Sequence, residues 1–237
     1  MKRISFLVAF LFTVLLVTAQ KTINDPNAEI REAKNFHGIS ISNAFDVYLN
    51  QGNDEAVAVS AAESKYREMI SVEVKDGILI IQLKRDGWKW NKGNKKLKAY
   101  ISFKKIDRLN ISGACDVYVD GIIKADDLKI NLSGASDIKT AKLEVKKLDV
   151  DISGASDMTI SGIASQLTVD VSGASKFKGT ELITDFCNAR ASGASDIRIT
   201  VNKELSAHAN GASDVKYKGD GVIRDIKTSG ASKISRI

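Results

Sequence analysis

Seven times in the second half of this chain a glycine follows Ser or Asn and precedes Ala: Gly113, Gly134, Gly154, Gly173, Gly193, Gly211 and Gly230. The intervals are 21, 20, 19, 20, 18 and 19 residues. A unit of roughly 20 residues repeated this regularly cannot bury its apolar side alone and becomes stable by stacking on its neighbours. The pattern is that of a solenoid.

Counted from each glycine, the residues six, four and two places upstream are apolar in most copies, as in Leu128, Ile130, Leu132 and in Leu148, Val150, Ile152. Polar residues lie between them, so this is the period-two alternation of a half-buried strand. A second short strand follows downstream in Val117 and Val119, Met158 and Ile160, Ile197 and Ile199. A third apolar position comes at Ile122, Leu143, Ile163, Leu182 and Val201. Three inward segments per turn suit a parallel β-helix. Glycine lets the chain take a corner with positive φ at no steric cost. The Ala after it, present in all seven copies, reads as a spot too crowded for a larger side chain.

The pattern begins before the regular copies. Ile41-Ser42-Asn43-Ala44-Phe45-Asp46-Val47-Tyr48-Leu49 matches Ile111-Ser112-Gly113-Ala114-Cys115-Asp116-Val117-Tyr118-Val119, with Asn43 as the next best residue for positive φ. Residues 57–62 are a weaker echo. Between residues 64 and 108 the period is lost: 64–70 suit one helical turn, 71–74 and 78–83 a hairpin across Asp76-Gly77, and 97–103 another strand. The expectation is one domain over 36–237 of about nine or ten coils, with 36–108 an irregular start and cap and 109–237 regular. Residues 20–35, which hold the single proline, Pro26, read as a loose leader.

Met1-Lys2-Arg3 is basic, residues 4–17 are apolar but for Ser5 and Thr13, and Val17-Thr18-Ala19 is a small-residue cleavage pattern. Residues 1–19 read as a secretory signal, the apolar run being shorter than the roughly 20 residues of a membrane span. No transmembrane segment is expected after cleavage. The net charge of +6 falls when Lys2 and Arg3 leave, and both signs are spread along the chain, which does not indicate a nucleic-acid partner. Cys115 and Cys187 fall about four coils apart, some 19 Å at about 4.8 Å per coil, beyond the reach of a disulfide. Both read as free thiols.

Three sets of side chains could carry chemistry. Asp116, Asp137 and Asp157, each three places past a glycine and just after Cys115, Ser136 and Ser156, form a carboxylate column that could hold Ca²⁺ between coils. The plainer reading is turn chemistry, each Ser and Asp bonding its own corner. On the outer face of the upstream strand, Asp149, Asp151, Asp170, Arg190 and His208 fall on one patch, the residue types of acid/base attack on an acidic polysaccharide. They are equally those of a solvated sheet face with opposite charges on adjacent strands. Trp88 and Trp90, beside Lys89 and Lys92, suit binding of a sugar or an anionic glycan, or closure over the open end of the solenoid. The residues require no cofactor.

The Phe36-His37-Gly38-Ile39 opening, the Ser42-Asn43-Ala44-Phe45-Asp46-Val47 segment and the Ser-Gly-Ala-Ser-Asp repeats resemble the putative auto-transporter adhesin, head GIN domain family. The resemblance covers residues 36–237. It implies a single-stranded right-handed parallel β-helix, no identified catalytic residue, and a role in cell adhesion. It also implies export in a Gram-negative, Bacteroidetes-like bacterium, to the periplasm, the outer surface or the medium. The expected function is thus a non-catalytic binding or scaffold module for a cell-surface glycan or protein; the alternative is a polysaccharide lyase or hydrolase. The chain runs to Ile237 directly after its last repeat, so self-association through that final coil is expected.

Overall fold

A computed structural model describes residues 24–84 and 95–237. It opens with β1 (Glu29–Arg31), β2 (Gly38–Ile41), β3 (Phe45–Gln51) and β4 (Ala56–Ser60), followed by the short helix α1 (Ser64–Glu68). Next come β5 (Ile70–Lys75), β6 (Ile78–Leu83), β7 (Leu97–Phe103) and β8 (Arg108–Ile111). The repeats form β9 (Asp116–Leu132), β10 (Asp137–Ile152), β11 (Asp157–Val171), β12 (Lys176–Ala191) and β13 (Asp196–Ala209). β14 (Asp214–Lys218), β15 (Val222–Thr228) and β16 (Lys233–Arg236) complete the chain. The result is an all-β solenoid, stacked as the glycine spacing requires.

Two parallel runs of strands meet at the glycine corners. One passes from β7 through β3 and the first halves of β9 to β13 to β14 and β16. The other passes from β6 through β2, β8 and the second halves of the same long strands to β15. Hydrogen bonding continues around the corner itself: the amides of Ala135, Ala155 and Ala174 donate to the carbonyls of Gly113, Gly134 and Gly154 at 2.7, 2.8 and 2.8 Å. The corners are so close that a Cβ on Gly134, Gly154 or Gly173 would lie 2.3, 2.3 or 2.4 Å from the glycine carbonyl oxygen of the corner before it. Asn43, at φ 87°, is the first corner of the line. Its Oδ1 accepts the amide of Leu83 at 2.9 Å.

The solenoid has about six turns, against an expected nine or ten. The first third of the chain is laid down out of sequence order: β3 lies between β7 and β9, and β2 between β6 and β8. Chain order and stacking order agree only from β8 onward. Residues 57–62 are not a further coil, since β4 runs antiparallel to β7, with β1 antiparallel outside it. Antiparallel strands at the first end replace stacked coils and close that edge. The hairpin expected across Asp76-Gly77 is present as β5 and β6.

Two further expectations are corrected. The invariant Ala is exposed in every repeat, while the Ser two places past the glycine is buried, at 0% for Ser136, Ser156, Ser175 and Ser213. The crowded position at the corner is thus the serine, whose hydroxyl satisfies buried backbone groups. Ser136 Oγ accepts the Cys115 amide at 3.2 Å and Ser156 Oγ the Ser136 amide at 3.3 Å, and Ser213 Oγ donates to the Asn210 carbonyl at 2.8 Å. In the third segment Leu143, Leu182 and Val201 are buried as expected, but Ile163 is 54% exposed and Ala164 is buried in its stead. The register pairs Gly162 with Leu143 on one side and Leu182 on the other, so Gly162 takes the core row and Ile163 turns outward. Cys115 and Cys187 are buried free thiols, and burial pushes both upward, Cys187 the further, which disfavours the reactive thiolate.

Candidate functional site

The corner carboxylates stand where the repeat places them, in one register row: Asp46, Asp116, Asp137, Asp157, Lys176, Asp196 and Asp214. Cations from the outward position two residues downstream engage them. Lys139 Nζ sits 3.0 Å from Asp116 and 2.6 Å from Asp137, Lys178 reaches Asp157 at 3.3 Å, and Lys216 spans Asp196 and Asp214 at 3.6 and 3.2 Å. Hydrogen bonds to Asp137 and Asp116 raise the Lys139 ammonium well above the ordinary lysine range. Asp137 Oδ1 also accepts the Asp157 amide at 3.1 Å. Among the described residues no group of three or more His, Cys, Asp or Glu is placed to hold a metal ion. The lysines offset the repulsion among Asp116, Asp137, Asp157, Asp196 and Asp214.

The upstream strand brings four of its candidates together. Asp151, Asp170, Arg190 and His208 occupy consecutive rungs on one register row, and Asp149 stands two residues back on the row of Lys129 and Thr168. Burial raises the Asp170 carboxyl above the ordinary range, the charge of Asp151 adds to this, and Arg190 opposes it. His208 Nε2 is 2.8 Å from Asp225 Oδ2, and Lys147 Nζ is 3.3 Å from Asp149. Lys227 and His208 together hold the Asp225 carboxyl below its usual range. Parallel strands fix Asp151, Asp170, Arg190 and His208 about 4.8 Å apart along a single row, two like-charged carboxylates on adjacent rungs with Arg190 beside the second.

Trp88, Lys89, Trp90 and Lys92 lie outside the described residues. Their flanks show where the segment is inserted. Ile81 pairs with Ile41, and Leu97 with Phe45, so the connection from Ile81 to Leu97 spans the step that Ser42-Asn43-Ala44 makes in the next layer.

Sequence reasoning missed one arrangement of the outward face. Tyr100, Tyr48 and Tyr118 stand in register on β7, β3 and β9. Their ring centroids are 5.1 and 5.3 Å apart and their planes differ by 14° and 15°. Tyr48 and Tyr118 are 37% and 38% exposed. The Tyr100 hydroxyl donates to Asp25 Oδ2 at 2.8 Å, and burial followed by that carboxylate raises the Tyr100 phenol above its normal range. Tyr48 and Tyr118 occupy the same place in the two matched segments and could have been paired from the sequence. Tyr100 could not, because it lies in the stretch without repeats.

Among curated proteins none matches the chain. The fold does recur in solved structures. A putative adhesin from Bacteroides fragilis superposes with a TM-score of 0.82 at 23% identity, covering 89% of this chain and 96% of that one. A putative adhesin from Parabacteroides merdae superposes at 0.68 and 17% identity, covering 89% of this chain and 95% of that one. A structure described as a putative lipid binding protein, from Parabacteroides distasonis, superposes at 0.67 and 18%, covering 90% and 98%. At such identities the likeness establishes the fold. Residues 35–221 match the family described as putative auto-transporter adhesin, head GIN domain, over most of the stacked corners and both parallel strand runs, and the chain belongs to that family.

Proposed function

We propose that the protein is an exported, non-catalytic binding module with an adhesin-like role, held in the periplasm or at the surface of a Gram-negative bacterium, where its outer faces engage a glycan or protein. The observation that carries this reading is the state of the outward charges. Asp116, Asp137, Asp157, Asp196 and Asp214 of the corner row are engaged by lysines, as Asp225 is by His208, which suits a rigid display with its charges paired. Family membership supports the adhesin-like role. No helix among the described residues is long and apolar enough to cross a membrane.

The final coil supports association between copies. Among the described residues β15 and β16 pair on one side only, with β13 and β14. Ile223 and Ile226 stand in the core rows of Leu205 and Ala207 yet are 46% and 39% exposed. A second copy adding its own final coil there would cover both the apolar side chains and the open strand edge.

The test uses the exported chain, immobilised, with bacterial and epithelial cells as probes, and light scattering on the same preparation. The reading expects saturable cell retention, a dimer that Ile226→Lys converts to a monomer, and no product from polygalacturonate, alginate or hyaluronan. A product that disappears in Asp170→Asn would overturn the non-catalytic reading, absence of retention the adhesin-like role, and a monomer at high concentration the association.

A further inference from the structure

The tyrosine row has features that packing alone does not account for. Tyr118 pairs with Thr140 on β10, and the later coils carry Thr159, Lys178, Arg198 and Lys216 two places past the corner row, so the solenoid stacks equally well without aromatic rings there. The three tyrosines are confined to the first layers. Only the Tyr100 hydroxyl is bonded by the protein, while among the described residues those of Tyr48 and Tyr118 meet no protein partner. Two exposed ring edges therefore present free phenol groups, one rung apart, to whatever lies on this face.

The groups around them are acceptors. Asp46 and Asn50 stand two residues before and after Tyr48 on the same face of β3, and Asp116 and Asp120 flank Tyr118 in the same way on β9. The patch is net acidic: Lys139 is engaged by Asp116 and Lys98 Nζ lies 3.5 Å from Asp25, and Asp46 and Asp120 add two further carboxylates. Phenol, amide and carboxylate groups in such a row match the hydroxyl groups of a sugar chain. The local carboxylates count against an anionic glycan, because its charge would be brought close to Asp46.

We propose that the Tyr100, Tyr48 and Tyr118 ladder is a binding shelf for a neutral oligosaccharide, lying along the stacking direction with its hydroxyls bonded to the Tyr48 and Tyr118 phenols and to Asp46 and Asn50. The shelf is rigid before binding, since each ring is held by its neighbour and Tyr100 is anchored to Asp25. Little side-chain entropy is then lost on association. This deepens the binding-module reading and rests on it.

The probes are maltohexaose, cellohexaose, chitohexaose and mannohexaose, titrated calorimetrically into the full exported chain, with hexagalacturonate and hexalysine as charged comparisons. The expected result is saturable binding of at least one neutral probe, weakened about tenfold by Tyr118→Phe, which keeps the ring and removes one hydrogen bond. Tyr48→Ala should abolish it, with thermal melting checking that the fold persists. If cells are retained but no neutral probe binds, the shelf proposal fails and the adhesin-like reading stands. If neither cells nor probes bind, both fail. Binding untouched by Tyr118→Phe and Tyr48→Ala overturns the shelf, as does a response confined to hexalysine or hexagalacturonate.

Discussion

Gly179→Ile should lower the stability of this protein by about 3 kcal/mol, and Phe177→Met in the same chain should restore it to within about 1 kcal/mol of the starting value. The reason lies in how one coil fills its share of the core. In the neighbouring coils the two inward positions after the corner hold Met158 with Ile160 and Ile197 with Ile199, each buried at 1% or less. In the coil between them the pair is Phe177 with Gly179. Phe177 is completely buried and pairs with Met158 and Ile197. Its ring occupies the volume that the neighbours fill with isoleucine, since a Cβ on Gly179 would lie 2.5 Å from Phe177 Cε1.

Interiors pack at crystal density, so a large ring beside a missing side chain and a medium pair beside each other are two solutions of the same space. Either alone overfills or empties it: Phe177→Ala should cost about 4 kcal/mol through the cavity it leaves. Urea unfolding of the two single variants and the double variant gives the coupling directly. Additive losses would mean that the two residues do not share one cavity.

What the sequence made legible, and what it hid, follows from which contacts repeat. The corner line, the buried upstream strand residues and the Asp rows recur at one spacing, and stacked coils bring like positions together, so each can be read by aligning the copies. The same logic located Asn43 as a corner and assembled Asp151, Asp170, Arg190 and His208 into one row. It failed wherever a local irregularity broke the correspondence. Gly162, at φ 108°, took the row that Ile163 was expected to fill. The Ala after each glycine looked crowded because it never varied, yet its methyl group faces solvent and the space is filled from the other side by serine.

Long-range order was the other blind spot. Tyr100 meets Tyr48 only because β7 is laid outside β3 after an excursion through α1, β5 and β6. No spacing in the chain announces that return. The turn count suffered for the same reason, since β4 alternates like a coil strand yet pairs antiparallel with β7. The tryptophans singled out as a binding segment lie outside the described residues, whereas the aromatic row on the described face was found from geometry.

The central claim is that the corners lie directly on one another, and two glycines separate that claim from ordinary turn chemistry. Gly154 and Gly121 share a left-handed backbone, with φ of 82° and 79°. A Cβ on Gly154 would meet the Gly134 carbonyl oxygen at 2.3 Å, whereas one on Gly121 would meet nothing within 4 Å. Alanine at either position carries the left-handed backbone cost of about 1–2 kcal/mol. Only Gly154→Ala adds the steric cost of forcing two stacked corners apart, for a total of about 3–5 kcal/mol. The measurement is the difference in unfolding free energy between Gly154→Ala and Gly121→Ala: a loss at least about 2 kcal/mol larger at Gly154 is the predicted result, and equal losses at the two positions would contradict the stacked-corner solenoid.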